Sequence, residues 1–282
     1  MTEPSAARVA VYLDFDNIVI SRYDQVNGQS SFQRDRAKGL DANRLAGARV
    51  DVGAILDFAS SFGTVVLTRA YADWSAQVNA KYREQLVGRA VDLVQLFPAA
   101  AYGKNGADIR LAVDAVEDMF RLPDLTHVVI VAGDSDYIAL AQRCKRLGRY
   151  VVGIGVAGSS SKALAAACDD FVIYDALPGV PVLAAPAQPK RARKSTEPAA
   201  PDPQTEATAL LKRALQIGME KDDEEWLHNS EVKAQIKRMD PSFSEKSLGF
   251  RSFSDFLRSR SDIVELDESS TTRLVKLKSP TD

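Results

Sequence analysis

Five aspartates in this sequence have the type and spacing of ligands for a hard cation. They are Asp14, Asp16, Asp108, Asp134 and Asp136, with no histidine or cysteine among them. Carboxylate oxygens favour Mg²⁺ or Mn²⁺ over Zn²⁺. In two-metal sites one ion activates a water, and a second ion about 3.5–4 Å away stabilises the leaving oxygen of a phosphoester. The sequence therefore predicts phosphoester hydrolysis with Mg²⁺ or Mn²⁺ as the cofactor.

Two apolar stretches position four of these acids. The stretch VAVYLDFDN (9–17) is an apolar run that ends in Asp14, Asp16 and Asn17, and THVVIVAGDSD (126–136) ends in a second acidic pair. Continuous apolar runs of this length are typical of strands buried on both faces of a parallel sheet, and ligands bind at the carboxyl ends of such strands. The alternative is that Asp and Asn simply form turns and helix caps. We favour a site because like charges brought together cost free energy unless a cation offsets them.

Asp108 lies in the first turn of a helix predicted from about residue 106 to 120. Asn105, three positions earlier, gives the spacing of a capping box, which needs no metal. A metal ligand, a cap or both therefore remain open for Asp108. The apolar residues of this helix share one face: Ile109, Ala112, Val113, Val116 and Phe120.

Alternating strands and helices define the fold class as α/β. Strands are predicted at 9–13, 64–71, 91–97, 126–132, 150–156 and 171–174, with helical patterns between them. This alternation specifies a parallel sheet with helices on both faces. A Rossmann-like parallel-sheet domain followed by a small winged helix-turn-helix domain is the architecture we expect.

We predict a first domain over 1–177, a linker over 178–204 and a second domain over 205–282. The linker is rich in proline and alanine and should be semi-rigid. It carries a basic cluster that either contacts phosphates or is merely solvated: Lys190, Arg191, Arg193 and Lys194. Three helical patterns and a hairpin in the second domain are the parts of a winged helix-turn-helix.

A polar stretch over 21–50 follows the first strand and is expected to be a mobile loop above the site. Its basic residues Arg34, Arg36 and Lys38 are candidate phosphate contacts. A solvated surface loop is an equally weighted alternative.

Composition narrows the class of protein and its partners. The 282 residues carry a net charge of −2, so any binding to nucleic acid must come from local patches. Cys144 and Cys168 lack zinc-ligand spacing and are expected to be buried free thiols, which suits a reducing compartment. No apolar run of about 18 residues occurs, so we expect a cytoplasmic protein without a membrane partner.

The motifs YLDFDN, KNGADIRLAVDAV, VIVAGDSDYIALAQRCKRLGRYVVGIGV and SKALAAACDDF resemble NYN domains, a branch of the PIN-like nucleases, over residues 8–176. The resemblance implies a metal-dependent nuclease acting chiefly on RNA. It implies an acidic catalytic set formed by Asp14, Asp108, Asp134 and Asp136, with Asp16 as a second acid of the first motif. This chain departs from the family pattern in two ways: Tyr137 stands where Phe is more usual, and the insertion after Ile20 is long.

We expect substrate contacts from polar side chains near these acids, namely Asn17, Lys104, Asn105 and Ser135, and from the three basic residues of the 21–50 insertion. The metal ligands expected are all five aspartates. The predicted partner is RNA, with single strands preferred.

The C-terminal part resembles an OST-HTH/LOTUS domain over about 205–278. The resemblance rests on an Asp240-Pro241-x-Phe243 turn and a Gly249-Phe250-x-x-Phe253-x-x-Phe256-Leu257 run. It implies binding to RNA or to a protein partner. The phenylalanines are interpreted as core rather than as base-stacking platforms. Candidate phosphate contacts here are Lys237, Arg238, Lys246, Arg251 and Arg258.

The function predicted is a metal-dependent endoribonuclease with an appended RNA- or partner-binding module. One alternative is a non-catalytic RNA-binding adaptor. Another is a haloacid dehalogenase-like phosphatase with Asp14 as nucleophile. That class is disfavoured because Asn17 directly follows Asp16 and Ile138 occupies the place of its final acid. Self-association into a homodimer is left open.

Overall fold

The computed structural model describes residues 6–97, 106–181, 202–222, 226–267 and 273–278. The chain divides into two compact units, Met1–Ala185 and Pro186–Asp282. Within the described ranges, no helix is both long enough and apolar enough to cross a membrane.

The first unit is built on a six-stranded sheet of order β3-β2-β1-β4-β5-β6. The strands are β1 Arg8–Asp14, β2 Thr64–Ala72, β3 Asp92–Gln95, β4 His127–Val131, β5 Tyr150–Gly155 and β6 Asp170–Ile173. Every pair of neighbours is parallel. The predicted α/β class with a parallel sheet is confirmed.

Nine helices join these strands. They are α1 Phe15–Asn27, α2 Ser31–Arg36, α3 Ala42–Gly47, α4 Val52–Ser60, α5 Gln77–Ala80, α6 Arg83–Val87, α7 Gly106–Arg121, α8 Ile138–Arg146 and α9 Lys162–Ala167. This count covers only the described ranges. Two hydrophobic cores form, one on each face of the sheet.

The central strand β1 is buried on both faces. Val9, Val11 and Leu13 enter one core, while Ala10 and Tyr12 enter the other, and all five have 0% exposure. This alternation follows from the two-residue period of a strand. Strand β1 pairs with β2 on one side and β4 on the other, so its carboxyl end lies between theirs.

Most of the insertion after β1 is helical, so the prediction that residues 21–50 form a loop is wrong. Helix α1 continues to Asn27, and α2 and α3 follow it. Tyr23 and Phe32 pack edge-to-face with ring centroids 5.5 Å apart, at the centre of a small separate core. Asp24 accepts hydrogen bonds from the backbone N–H groups of Ser30 and Phe32 at 3.1 and 2.7 Å, which fixes the α1–α2 turn.

Helix α7 turns its apolar stripe outward. Ile109, Val113 and Phe120 are 61%, 57% and 70% exposed. The side that faces the sheet is Leu111, Asp114, Ala115, Asp118 and Met119. Of the predicted apolar face, Ala112 and Val116 pack against the core, whereas Ile109, Val113 and Phe120 are exposed, so the face that the helix buries is rotated from the predicted one.

Two buried aspartates explain this orientation of α7. The Tyr71 hydroxyl donates to Asp114 at 3.1 Å, and the Tyr12 hydroxyl donates to Asp118 at 3.0 Å. Arg69 of β2 forms an ion pair with Asp118. Buried carboxylates are tolerated when hydrogen bonds and an opposite charge satisfy them. These bonds hold α7 on β1 and β2.

Within its described residues, the second unit has three helices and a three-stranded antiparallel sheet of order β7-β9-β8. Its elements are α10 Pro203–Asp222, β7 Leu227–His228, α11 Asn229–Met239, α12 Phe253–Arg258, β8 Val264–Asp267 and β9 Leu274–Leu277. These are the parts predicted for a small winged helix-turn-helix domain. Phe243, Phe253 and Phe256 are buried in one cluster, so their interpretation as core residues is confirmed.

The predicted linker is described only at its ends. Leu177 and Val180 pack into the core of the first unit, and α10 begins at Pro203. The basic cluster at 190–194 lies outside the described residues.

Candidate active site

Asp14 occupies the carboxyl end of β1 and is only 3% exposed. Its Oδ1 accepts a hydrogen bond from the backbone N–H of Asn17 at 3.1 Å, which caps α1. Its Oδ2 accepts a bond from the Tyr137 hydroxyl at 2.8 Å. The carboxylate is therefore fixed in position by two donors.

Asp108 and the end of β4 complete an acidic edge. Tyr137 interacts with the side chains of both Asp108 and Asp14. Asp134 accepts from the Asp136 backbone N–H at 3.3 Å and so caps the short 3-10 turn that carries Tyr137. The structure thus brings together four acids predicted from two strand ends and one helix start. Asp16 lies two residues after Asp14, in the first turn of α1.

Burial and mutual repulsion raise the pKa values of two of these acids. Burial raises the pKa of Asp14 to about 7, and the negative charges of Asp108 and Asp16 add to the effect. Burial also raises the pKa of Asp108, with the charges of Asp134 and Asp136 adding to it. A raised carboxyl pKa means that the ionised form is poorly compensated in this fold. A cation bound among these carboxylates would offset both the cost of burial and their mutual repulsion.

Asn17 connects the two strand ends. Its Oδ1 accepts a hydrogen bond from the Gly133 backbone N–H at 3.2 Å. A Cβ at position 133 would lie 3.1 Å from Ser159 Oγ, so the backbone of Gly133 runs close to Ser159. Asn17 therefore positions the tips of β1 and β4, and its predicted contact with substrate stays a prediction. Ser135 is exposed beside Asp134.

Asp16 is held by the chain that follows β2. It accepts hydrogen bonds from the Asp73 backbone N–H at 3.1 Å and from the Asn79 side-chain amide. Burial raises the pKa of Asp16, and the positive charge of Arg36 opposes this rise. Asp16 thus fixes the β2 end beside the acidic edge, and its predicted role as a metal ligand stays a prediction.

Sequence reasoning missed Asp73 and Asn79 as parts of this framework. Asp73 follows β2 in the way that Asp14 follows β1, so the same strand-end pattern was available as a signal. Ser75 and Gln95 donate to Asp73 and hold the pKa of its carboxyl below the usual range. Nothing in the local sequence marks Asn79, because its role depends on the contact of α5 with α1.

The donor set fits a hard cation that shares its ligands with substrate. All the acids offer oxygen atoms, which suit Mg²⁺ or Mn²⁺. In the part of the chain that is described, however, no group of three acidic, histidine or cysteine side chains is arranged to hold an ion by itself. Mg²⁺ commonly uses one or two carboxylates, with waters and substrate phosphates as its other ligands. The edge suits that mode and not a closed protein cage.

The remaining predicted contacts fall into three groups. Lys104 and Asn105 lie outside the described residues. The predicted capping box between Asn105 and Asp108 therefore stays a prediction. Arg34 is used within the insertion, where its guanidinium donates to Gln29 O at 3.3 Å and Ser31 Oγ at 2.8 Å. Arg36 and Lys38 are exposed. Of the three basic residues, Arg36 is the one with an electrostatic effect on an acid of the site, Asp16.

The comparisons with known proteins identify both units. The family model of the NYN domain matches residues 8–175, and the model of the OST-HTH/LOTUS domain matches residues 200–276. "Uncharacterized protein MJ0482" of Methanocaldococcus jannaschii is 28% identical over 115 residues, which are 41% of this chain and 44% of that protein. The chain thus spans less than half the length of that relative.

A solved structure from Vibrio parahaemolyticus, described as "a protein of unknown function VPA0982", is also similar. The match has 21% sequence identity and a TM-score of 0.45, and it covers 61% of this chain and 96% of that one.

Proposed function

Because this chain belongs to the NYN domain family of PIN-like nucleases and carries an OST-HTH/LOTUS domain, an RNA-binding module, we propose that it is a metal-dependent endoribonuclease. The observation that carries the proposal is the acidic edge between β1 and β4, where Asp14, Asp108 and Asp134 interact electrostatically. NYN and other PIN-like nucleases generally use divalent metal ions.

Under this proposal the edge formed by Asp14, Asp108, Asp134 and Asp136 holds Mg²⁺ or Mn²⁺ together with waters and substrate phosphates, which complete the ligand set. The bound ion would supply charge for a phosphodiester that is being hydrolysed. Tyr137 keeps the carboxylates of Asp14 and Asp108 side by side through its hydroxyl. The backbone N–H of Asn17 fixes the second oxygen of Asp14, so the acid needs little reorganisation when substrate arrives.

RNA is the substrate we propose, with single strands preferred and cytoplasmic action expected. The OST-HTH/LOTUS domain would deliver RNA, or a protein partner that carries it. The haloacid dehalogenase alternative is less suited to the geometry, because both oxygens of its would-be nucleophile Asp14 accept hydrogen bonds and the residue is buried.

The stripe of α7 supports self-association into a homodimer. An antiparallel two-fold contact would place the exposed side chain of Ile109 opposite Phe120 of the partner subunit, with Val113 near the two-fold axis. The stripe is therefore complementary to itself, as a two-fold interface requires.

The proposal is tested with purified full chain and a circular single-stranded RNA, which only an endonuclease can open. Duplex RNA and single-stranded DNA are compared, each with Mg²⁺, Mn²⁺ or EDTA. We expect cleavage of the circle that needs the ion and is lost in the double variant Asp14→Asn, Asp134→Asn. Asp41→Asn is the matched control, because Asp41 is an exposed helix cap that asparagine replaces well.

Undiminished cleavage by the double variant would overturn the site assignment. Tight RNA binding by the wild type without cleavage under any ion would favour the adaptor alternative.

A further inference from the structure

A cavity of about 240 Å³ lies beside the acidic edge, among α1, α3 and α5. Its walls are mainly apolar or aromatic, formed by Val19, Tyr23, Leu45, Val78 and Tyr82. A second cavity of about 300 Å³ shares residues 42, 45, 78 and 81 with it. The shared residues make the two cavities neighbours, and we refer to them together as the groove. Their combined size is within the range of about 300–1,000 Å³ usual for small-ligand sites.

The groove starts one helical turn from the acidic edge. Asp16 lies in the first turn of α1, and Val19 and Tyr23 follow it at helical spacing on the same side. On the opposite wall, Asn79 donates to Asp16, and its neighbours Val78 and Lys81 line the groove. The contact between α1 and α5 therefore joins the groove to the site.

Three exposed cations surround the apolar walls. Arg49 lines the first cavity, Arg36 lines the second, and Lys81 lines both. Across the described ranges, none of the three lies within ion-pair distance of a carboxylate, whereas Arg44 nearby is paired with Asp35. Unpaired cations around an apolar hollow suit a ligand with an apolar ring and negative charges, which is the chemistry of a nucleotide.

We propose that this groove is a nucleotide subsite, in which one unstacked base of single-stranded RNA enters the cavity while Arg36, Arg49 and Lys81 contact the flanking phosphates. The inference rests on the proposed function and deepens it, because it names the form of RNA that fits. A base in a duplex is stacked and paired, so only a single strand or a loop can offer one to the cavity. The insertion thus contributes to substrate selection through its folded helices α2 and α3.

The test measures RNA binding without cleavage. Fluorescence anisotropy of a labelled eight-nucleotide single strand is followed in EDTA with the full chain, over a series of salt concentrations. We expect Lys81→Ala and Arg49→Ala each to weaken binding and to flatten the slope of log K against log salt by about 0.7. Arg146→Ala is the control, because Arg146 is exposed in the last turn of α8 and lines neither cavity.

A second variant tests the cavity apart from the charge. Ala42 is exposed and lines both cavities, so Ala42→Trp should fill the groove while leaving the buried cores intact. We expect about tenfold weaker binding, the loss of one base contact, with the salt slope unchanged. Melting temperatures confirm that each variant is folded.

The outcomes separate this inference from the proposed function. If the Lys81, Arg49 and Ala42 variants bind like the wild type, the subsite is wrong, while cleavage by the wild type would still stand. If the wild type cleaves no RNA but these variants lose binding, the nuclease proposal fails and the groove remains an RNA site.

Discussion

Replacing Asp14 by asparagine should stabilise the metal-free protein while it destroys the site. Asp14 is 3% exposed, and burial raises its pKa from the usual 3.8 to about 7. Asparagine has nearly the same shape and carries no charge to bury. Its oxygen can still accept from the Asn17 backbone N–H, and its amide can donate to the Tyr137 hydroxyl, whose own proton can then be donated to Asp108.

The size and sign of the effect follow from the pKa. A rise from 3.8 to about 7 is worth up to about 4 kcal/mol at 1.36 kcal/mol per pH unit. Between these values the unfolded chain has released the proton and the folded chain has kept it, so wild-type stability falls as pH rises and levels off above about 7. The gain from Asp14→Asn should therefore be up to about 4 kcal/mol at pH 8 and about 1–2 kcal/mol at pH 5.

The assay must report on the first unit alone. Trp74 is buried in its core, and Trp226 belongs to the second unit. In a Trp226→Phe background of the full chain, Trp74 fluorescence during thermal unfolding in EDTA isolates the unit that holds Asp14. A gain of up to about 4 kcal/mol corresponds to a rise of roughly 8–16 °C for a unit of this size.

Two controls sharpen this prediction. Asp41→Asn should change stability little at any pH, because its cap survives the replacement. Tyr137→Phe should destabilise the unit by about 1.5–3 kcal/mol at pH 8, because it removes the hydroxyl that stabilises ionised Asp14. An Asp14→Asn variant that is no more stable than the wild type at pH 8, or whose gain does not shrink towards pH 5, would refute the reasoning.

Three further predictions concern the metal, the second unit and α7. Mn²⁺ should raise the melting temperature of the wild type but not of the double variant Asp14→Asn, Asp134→Asn, and an equal shift in both would place the ion elsewhere. A chain that ends after Pro181 keeps Val180 in the core of the first unit. Its KM for RNA should rise by a larger factor than its kcat falls. A large loss of kcat at saturating RNA would mean that the second unit completes the active site. Phe120→Glu should convert a dimer into a monomer in light scattering after size exclusion, with the Glu117→Gln variant as the control at another exposed position of α7.

The sequence was sufficient to predict the sheet and the acids at its edge. Apolar runs such as residues 9–13 have a two-residue alternation that serves two cores at once, and the aspartates directly after them must lie at the carboxyl ends. Parallel pairing then brings those ends together without further information. The second unit was predictable for a similar reason, because its phenylalanines recur at the spacing of a buried helix face.

Helix α7 shows what periodicity leaves undecided. Its sequence has an apolar face and a face with Asp114 and Asp118, and the general rule would bury the first. The fold buries the second, because Tyr12, Tyr71 and Arg69 from neighbouring strands satisfy those carboxylates. Such partners are more than 40 residues away in the chain, so only the tertiary structure shows them.

The insertion illustrates the same limit. Its helices are short, and α2 and α3 have six residues each, too few for a clear periodic signal. Their stability comes from the contact between Tyr23 and Phe32 and from the hydrogen bonds that the Asp24 side chain accepts. No local sequence pattern predicts these contacts. The groove that they form with α5 was therefore not foreseeable from the three basic residues alone.

Asp16 interacts both with an acid of the edge, Asp14, and with a cation of the groove, Arg36. It therefore keeps these two groups of charges apart. The negative charge of Asp16 contributes to the raised pKa of Asp14, and the positive charge of Arg36 lowers the pKa of Asp16. The Asp73 backbone N–H and the Asn79 amide hold it in place. If Arg36 paired directly with Asp14, the edge would lose the uncompensated charge that attracts a cation. With Asp16 interposed, Arg36 interacts with Asp16 and not with Asp14, so under the proposed function the edge keeps its negative charge for a metal and the cations keep their positive charge for phosphates.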